Sequence, residues 1–218
     1  MALTIAVAGL KGGIGKSTIT LNLATCLHRA GHKVLIVDAD PQGTCRTWSA
    51  KAAEAGHDGP PVVAIEGKTL RKDLARVAEG FDVVVIDSPP RMGTESRAAM
   101  LVADLVVLPT VPGAADTWAL TETLVVLEDA RGIRPELRAV VVLNRTDRTT
   151  LARLTREAVE TLGATVLDEG LGARVAFGEA MLAGLGVVDY SPDSDAALEV
   201  RRLTKAALAA MTEGSTTS

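Results

Sequence analysis

The stretch Gly9-Leu10-Lys11-Gly12-Gly13-Ile14-Gly15-Lys16-Ser17-Thr18 constrains this chain more than any other. A mostly apolar segment, Leu3 to Ala8, precedes it and reads as a buried strand. After it, Ile19, Leu21, Leu23, Ala24 and Leu27 recur at helical spacing. Strand, glycine-rich turn and helix form the setting in which such a loop binds phosphate. The glycines let consecutive N–H groups turn inward, and the helix N-terminus adds partial positive charge. Lys16 would then reach the β- and γ-phosphates of a nucleotide, and the Ser17 hydroxyl would ligate magnesium. A glycine-rich turn that binds nothing is the plain alternative, and the flanking elements weigh against it.

A chain of 218 residues with 47% hydrophobic content suits one α/β domain with a sizeable core. We expect that domain to span residues 1–212, with a disordered polar tail at 213–218. Aromatic residues are scarce, so Val, Leu, Ile and Ala must fill the core. No apolar run approaches the roughly 20 residues that cross a bilayer, and no basic-plus-apolar leader precedes the first strand. The two cysteines, Cys26 and Cys45, make neither a zinc site nor a disulfide framework, and read as reduced thiols of a cytosolic protein.

The net charge of −4 argues against a uniformly basic nucleic-acid binder, but the charges are unevenly spread. Seven arginines lie between Arg131 and Arg156 against Glu136 and Asp147, whereas Arg174 is the one cation among nine acids from Glu157 to Glu199. A local basic patch attracts phosphate backbones even on an acidic protein, because salt screens charges beyond about 8–10 Å.

In chain order, a second strand at Lys33 to Val37 leads into Asp38-Ala39-Asp40-Pro41-Gln42-Gly43, where Pro41 and Gly43 enforce a turn. Thr44 to Ala55 reads as a helix carrying Trp48, Val62 to Ile65 as a short strand, and Leu70 to Ala78 as a helix. The strand Phe81 to Ile86 ends in Asp87-Ser88-Pro89-Pro90. An apolar strand closed by aspartate suits a magnesium-bound water shell, which Asp87 would hold. A helix lies in the Gly93–Val102 region, a strand at Leu105 to Pro109 and a long helix at Ala114 to Ala130. That helix carries Trp118, facing either inward or a partner. A strand at Val140 to Leu143 ends in Asn144-Arg145, and Thr149 to Leu162 is helical. Ala164 to Leu167 is expected as another strand, and about Ser194 to Met211 as the last helix. The alternating order implies a mostly parallel sheet with helices on both faces.

The loop departs from the usual phosphate-loop pattern, which places glycine where Leu10 stands, and fits Lys-Gly-Gly-x-Gly-Lys-Ser/Thr with a second lysine, Lys11. This deviant Walker A motif, Asp38-x-Asp40-Pro41-Gln42, the Asp87-x-Pro-Pro ending and the asparagine after a later strand occur in one order. In these features the chain resembles the ParA/MinD family of dimerising ATPases, most of all the small ParA type without an N-terminal helix-turn-helix domain. The resemblance implies a P-loop NTPase-type α/β fold, a mostly parallel twisted sheet flanked by helices on both faces, with ATP and Mg2+ as cofactors. It implies catalytic roles for Lys11, Lys16 and Asp40. Lys11 would contact the nucleotide held by the partner subunit, and Asp40 would position the attacking water. Gly12, Gly13, Ile14, Gly15, Lys16, Ser17 and Thr18 would cradle the phosphates, Asn144 would hydrogen-bond the adenine, and Ser17, Asp38 and Asp87 would serve the metal.

The same resemblance implies an ATP-dependent homodimer that binds DNA non-specifically through Arg145, Arg148, Arg153, Arg156, Arg174, Arg201 and Arg202. Arg174 opens an Arg-x-x-x-x-Glu-Ala segment of the kind that contributes to DNA binding in the family. A ParB-like or other adaptor would stimulate hydrolysis, and the protein would be cytoplasmic and nucleoid-associated, moving a plasmid, chromosome or other cargo. The Ala-rich last helix argues against a MinD-like membrane anchor. A metabolic or metal-delivery ATPase of the same superfamily is the remaining alternative. Taken without the family, the arginines read as a solvated face paired with Glu157 and Glu160.

Overall fold

Apolar runs bounded by turn residues produce, among the described residues, six parallel strands in the order β3-β2-β4-β1-β5-β6. The computed structural model describes residues 2–90, 94–147 and 149–212. The expected tail at 213–218 and Arg148 lie outside the described residues. The strands are β1 (Leu3–Val7), β2 (Val34–Asp38), β3 (Val62–Ala64), β4 (Val83–Asp87), β5 (Leu105–Thr110) and β6 (Arg138–Leu143). The helices are α1 (Lys16–Arg29), α2 (Thr44–Glu54), α3 (Leu70–Val77), α4 (Thr94–Val102), α5 (Ala114–Arg131), α6 (Thr150–Thr161), α7 (Val175–Leu182), α8 (Val187–Tyr190) and α9 (Asp195–Thr212).

Successive strand residues point to opposite faces, so each Val/Ile/Leu run feeds two cores. Ile5, Val7, Ile36, Val85 and Val107 meet α1 and α9 through Ile19, Leu23, Leu27, Val200 and Leu203. Ala6, Leu35, Val37, Ile86 and Leu108 meet α3, α4 and α5 through Leu70, Met100, Leu120 and Leu127. Both faces covered is the condition under which parallel strands read as continuous apolar runs, and β2, β4 and β5 are buried along their whole length. The buried face of α9, with Ala196, Ala197, Val200 and Leu203, is what its Ala-rich sequence serves. None of the described helices is long and apolar enough to cross a membrane.

The register brings chemistry to one edge. Val7, at the end of β1, pairs with Asp87, and Asp38 pairs with Asp87 from the other side. The loop after β1 and the carboxylates closing β2 and β4 therefore share the carboxyl-terminal rim of the sheet. The chain runs from β1 to β2 on one side while β5 and β6 extend the other, and such a switch point opens a ligand crevice.

One sequence expectation needs correction. Ala164 to Leu167 is not a strand: Val166 forms a single parallel bridge to Val141, with Val141 N–H donating to Thr165 O and Leu167 N–H to Val141 O. The segment runs along the outer edge of β6, half exposed, and after Leu167 it next bonds β6 only at Leu171, whose N–H donates to Leu143 O, so no continuous ladder forms. Two helices had no signal of their own. In α7 only Phe177 and Ala180 are buried, while Val175 and Leu182 are 81% and 83% exposed, so its apolar residues mark no single face. The four residues of α8 are too few for any periodicity. Of the two placements open for Trp118, the inward one falls away, because the residue is 70% exposed on α5.

Candidate nucleotide site

The loop at the head of α1 takes its shape from glycines where a side chain would not fit. Gly13 and Gly15 hold φ of 78° and 93°, the left-handed region that favours glycine. A Cβ at Gly15 would also lie 2.1 Å from Asn144 Nδ2. Gly15 caps α1, so the backbone N–H groups of the first turn face the crevice with no side-chain cap competing for them.

Lys16 opens α1 and is 6% exposed, its Nζ donating to Lys11 O at 3.1 Å across the loop. Burial pushes its pKa below the ordinary lysine value, against the opposing pull of Asp87 and Asp40. Ser17 Oγ donates to Asp87 Oδ2 at 2.6 Å. Asp87 is fully buried, and burial drives its carboxyl up to about 6, opposed by the hydrogen bonds from Ser17 and Cys45. Its other oxygen, Oδ1, is buried with no hydrogen-bond partner among the described residues. A serine hydroxyl, a buried carboxylate with an unsatisfied oxygen and a second carboxylate on the adjacent strand end suit a hard divalent cation with oxygen ligands. The residues present fit magnesium.

The turn after β2 is built from its own carboxylates. Asp38 Oδ1 accepts from Asp40 N–H at 3.2 Å and Oδ2 from Arg46 N–H at 3.0 Å, while Asp40 Oδ1 accepts from Gln42 N–H at 2.9 Å. These bonds hold Asp40, 9% exposed, at the rim rather than in solvent. Arg46 Nη2 donates to Pro41 O at 3.3 Å, and Arg46 Nε lies 3.5 Å from Asp38 Oδ2.

Of the expected phosphate-binding residues, Gly12, Gly13, Gly15, Lys16 and Ser17 line one loop. Ile14 is buried, where its side chain fills the space over Gly9. Thr18 turns its hydroxyl away, to Met181 Sδ on α7. Lys11 is held within its own chain, Nζ 2.9 Å from Asp116 Oδ1 in the first turn of α5. Asn144 reaches the loop, Nδ2 donating to Ile14 O at 2.7 Å.

Sequence reasoning missed three neighbours of the site: Asp116, Arg46 and Cys45. Nothing in the spacing links 116 to 11. Cys45, read as a reduced thiol, is fully buried with Sγ 3.4 Å from Asp87 Oδ2, and burial beside that carboxylate pushes its thiol well above the ordinary range. Trp48 packs in the core, Nε1 donating to Leu185 O at 3.1 Å.

Of the expected DNA-binding arginines, Arg153, Arg156, Arg174 and Arg201 are engaged by groups of their own chain. Arg153 pairs with Glu157 at 2.6 Å, and Arg156 with Asp168 at 3.2 Å and Glu160 at 3.5 Å. Arg174 pairs with Glu199 at 2.7 Å and Asp195 at 3.3 Å, and Arg201 Nη1 donates to Pro192 O at 2.8 Å. Arg145, Arg202 and Lys205 are exposed and form no ion pair among the described residues.

Residues 5–187 match the CobQ/CobB/MinD/ParA nucleotide binding domain. The chain belongs to that family. Within it, the maintenance of carboxysome distribution protein A of Halothiobacillus neapolitanus is 34% identical over 188 residues, covering 85% of this chain and 87% of that protein. The chromosome-partitioning ATPase Soj of Thermus thermophilus is 31% identical over 243 residues, covering 96% of each chain. Among solved structures, the septum site-determining protein MinD of Pyrococcus horikoshii, complexed with Mg-ADP, superposes with a TM-score of 0.75 at 21% identity. That superposition covers 94% of this chain and 96% of MinD, and it places the fold with the MinD/ParA nucleotide-binding proteins.

Proposed function

We propose that this family member is an ATPase that closes into a dimer over two Mg·ATP and uses the dimer to position an intracellular cargo over DNA. The observation that carries the reading is the rim cluster: a lysine desolvated within the loop, a serine hydroxyl on a buried aspartate, and that aspartate's unsatisfied oxygen. Such a cluster is incomplete without a phosphate and a cation. Ser17 and Asp87 would hold a magnesium ion, which would supply positive charge to the phosphates of the bound nucleotide.

The remaining work belongs to the chain. Lys16 exchanges Lys11 O for a phosphate oxygen, a stronger acceptor. Asp40, oriented by Gln42 N–H, accepts a hydrogen bond from the attacking water and aims it at the γ-phosphorus. Lys11 leaves Asp116 and reaches the nucleotide of the second copy. A γ-phosphate thereby becomes part of the interface and shifts the population towards the dimer, which ADP does less well. The carboxysome-distribution and chromosome-partitioning relatives support cargo positioning as the purpose. In this reading a partner protein stimulates hydrolysis and the dimer associates with the nucleoid.

Light scattering on the full chain with Mg2+ and a non-hydrolysable ATP analogue tests the reading. A dimer with the analogue, a monomer with ADP, and a monomer in both for Lys11→Ala are expected. ATP turnover by a chain that never dimerises would point instead to the metabolic branch of the family.

A further inference from the structure

Asn144 closes β6, its own N–H anchored on Thr110 O at 2.8 Å at the end of β5. Its side chain belongs to a residue 5% exposed, and both ends of the amide are in use. Nδ2 donates to Ile14 O at 2.7 Å, and Oδ1 accepts from Arg145 N–H at 2.9 Å. That second bond accompanies φ of 50° at Arg145, the one positive φ at a non-glycine position among the described residues. The backbone after β6 is thus held in a conformation that such residues rarely adopt. The amide also occupies the space left by the missing Cβ of Gly15, which would lie 2.1 Å from Nδ2.

Ile14 C=O and Gly15 N–H belong to one planar peptide and point in opposite directions. Holding the oxygen outward on Asn144 therefore aims the Gly15 N–H into the concavity of the loop. We propose that Asn144 is a positioning residue for the phosphate loop: it sets the Ile14–Gly15 peptide so that the Gly15 N–H faces a nucleotide phosphate. This goes beyond the base-reading role that the resemblance implies for Asn144, and it rests on the reading of the loop as a phosphate site.

Isothermal titration calorimetry with Mg·ATP and with Mg·tripolyphosphate, which has no base, separates the two roles. For Asn144→Ala, the brace predicts that both ligands weaken by the same factor, roughly ten-fold or more, as for a buried carbonyl left without its donor. Loss of ATP affinity with unchanged tripolyphosphate affinity would overturn it and return Asn144 to the base. Amide hydrogen exchange on the ligand-free chain reads the brace directly. Residues 10–18 should exchange several-fold faster in Asn144→Ala, and in Asn144→Ser should the alanine variant fail to fold, while exchange equal to wild type overturns the inference. A wild-type chain that binds neither ligand would sink the phosphate-site reading, and the exchange data would still decide the brace.

Discussion

The sheet rim and the arginine-bearing surface treat charge in opposite ways. At the rim, Lys16 and Asp87 are buried and under-partnered: one is held by a single backbone carbonyl, the other keeps an oxygen with no hydrogen bond. On the surface, Arg153, Arg156 and Arg174 each meet acids of their own chain within 3.3 Å. A fold holds polar groups short of partners at a cost of about 1–3 kcal/mol each, so the rim is where an outside partner is missing. These three arginines are already paired, and a phosphate backbone would have to displace their acids.

The largest way to break this contrast is at Lys16. Lys16→Ala is expected to weaken Mg·ATP binding about a hundred-fold by calorimetry, since a desolvated charge-assisted contact disappears. Asp40→Ala should leave binding and dimerisation intact while turnover falls by about a hundred-fold or more in a phosphate-release assay. Equal losses of binding in the two variants would remove the distinction between holding the phosphates and acting on water.

Asp87 sharpens the contrast through pH. Its folded pKa of about 6 lies above the ordinary 3.8, so the folded chain retains a proton that the unfolded chain releases. Stability is full below the unfolded value, falls as pH rises through the folded one, and stays lower above it. In metal-free urea denaturation at pH 7.5, Asp87→Asn should therefore be more stable than wild type by about 1–3 kcal/mol, the gap closing below about pH 4. A less stable variant at pH 7.5 would mean the carboxylate is not strained.

On the arginine side, Arg202→Glu with Lys205→Glu should lower the salt dependence of ATP-dependent DNA binding by roughly one unit per contact removed. Arg153→Glu should change it less, because Glu157 already meets that guanidinium. The reverse ranking in filter binding across a salt series would restore the arginines from 145 to 156 as the contact surface. The smallest expected effect is Asp116→Asn. Freeing Lys11 from a half-exposed pair should tighten nucleotide-driven dimerisation by roughly two- to five-fold in sedimentation equilibrium.

Much of the rim could be read from the chain, because its chemistry follows local order. Gly15, Lys16 and Ser17 are consecutive, and Asp38 and Asp87 close strands whose apolar runs are unmistakable. What could not be read depends on distant parts meeting. Asp116 reaches Lys11, Cys45 reaches Asp87 and Asn144 reaches Ile14 only after β2, β4, β5 and β6 have taken their places. The arginines show the same limit from the other side. A count of charges between Arg131 and Arg156 registers an excess, whereas Glu128, Asp104 and Asp168, which meet Arg131, Arg134 and Arg156, lie outside that stretch. The helices α7 and α8 were invisible for a related reason: α7 buries too few residues to print a pattern, and α8 is a single turn.

The two tryptophans make the molecule its own optical gauge. Trp48 is sealed in the interior with its indole nitrogen engaged, so its emission should stay blue and constant. Trp118 stands in water two residues beyond the carboxylate that grips Lys11, and contributes the red, quenchable part of the spectrum. Whatever comes to cover that helix will announce itself as a spectral shift from an unlabelled chain.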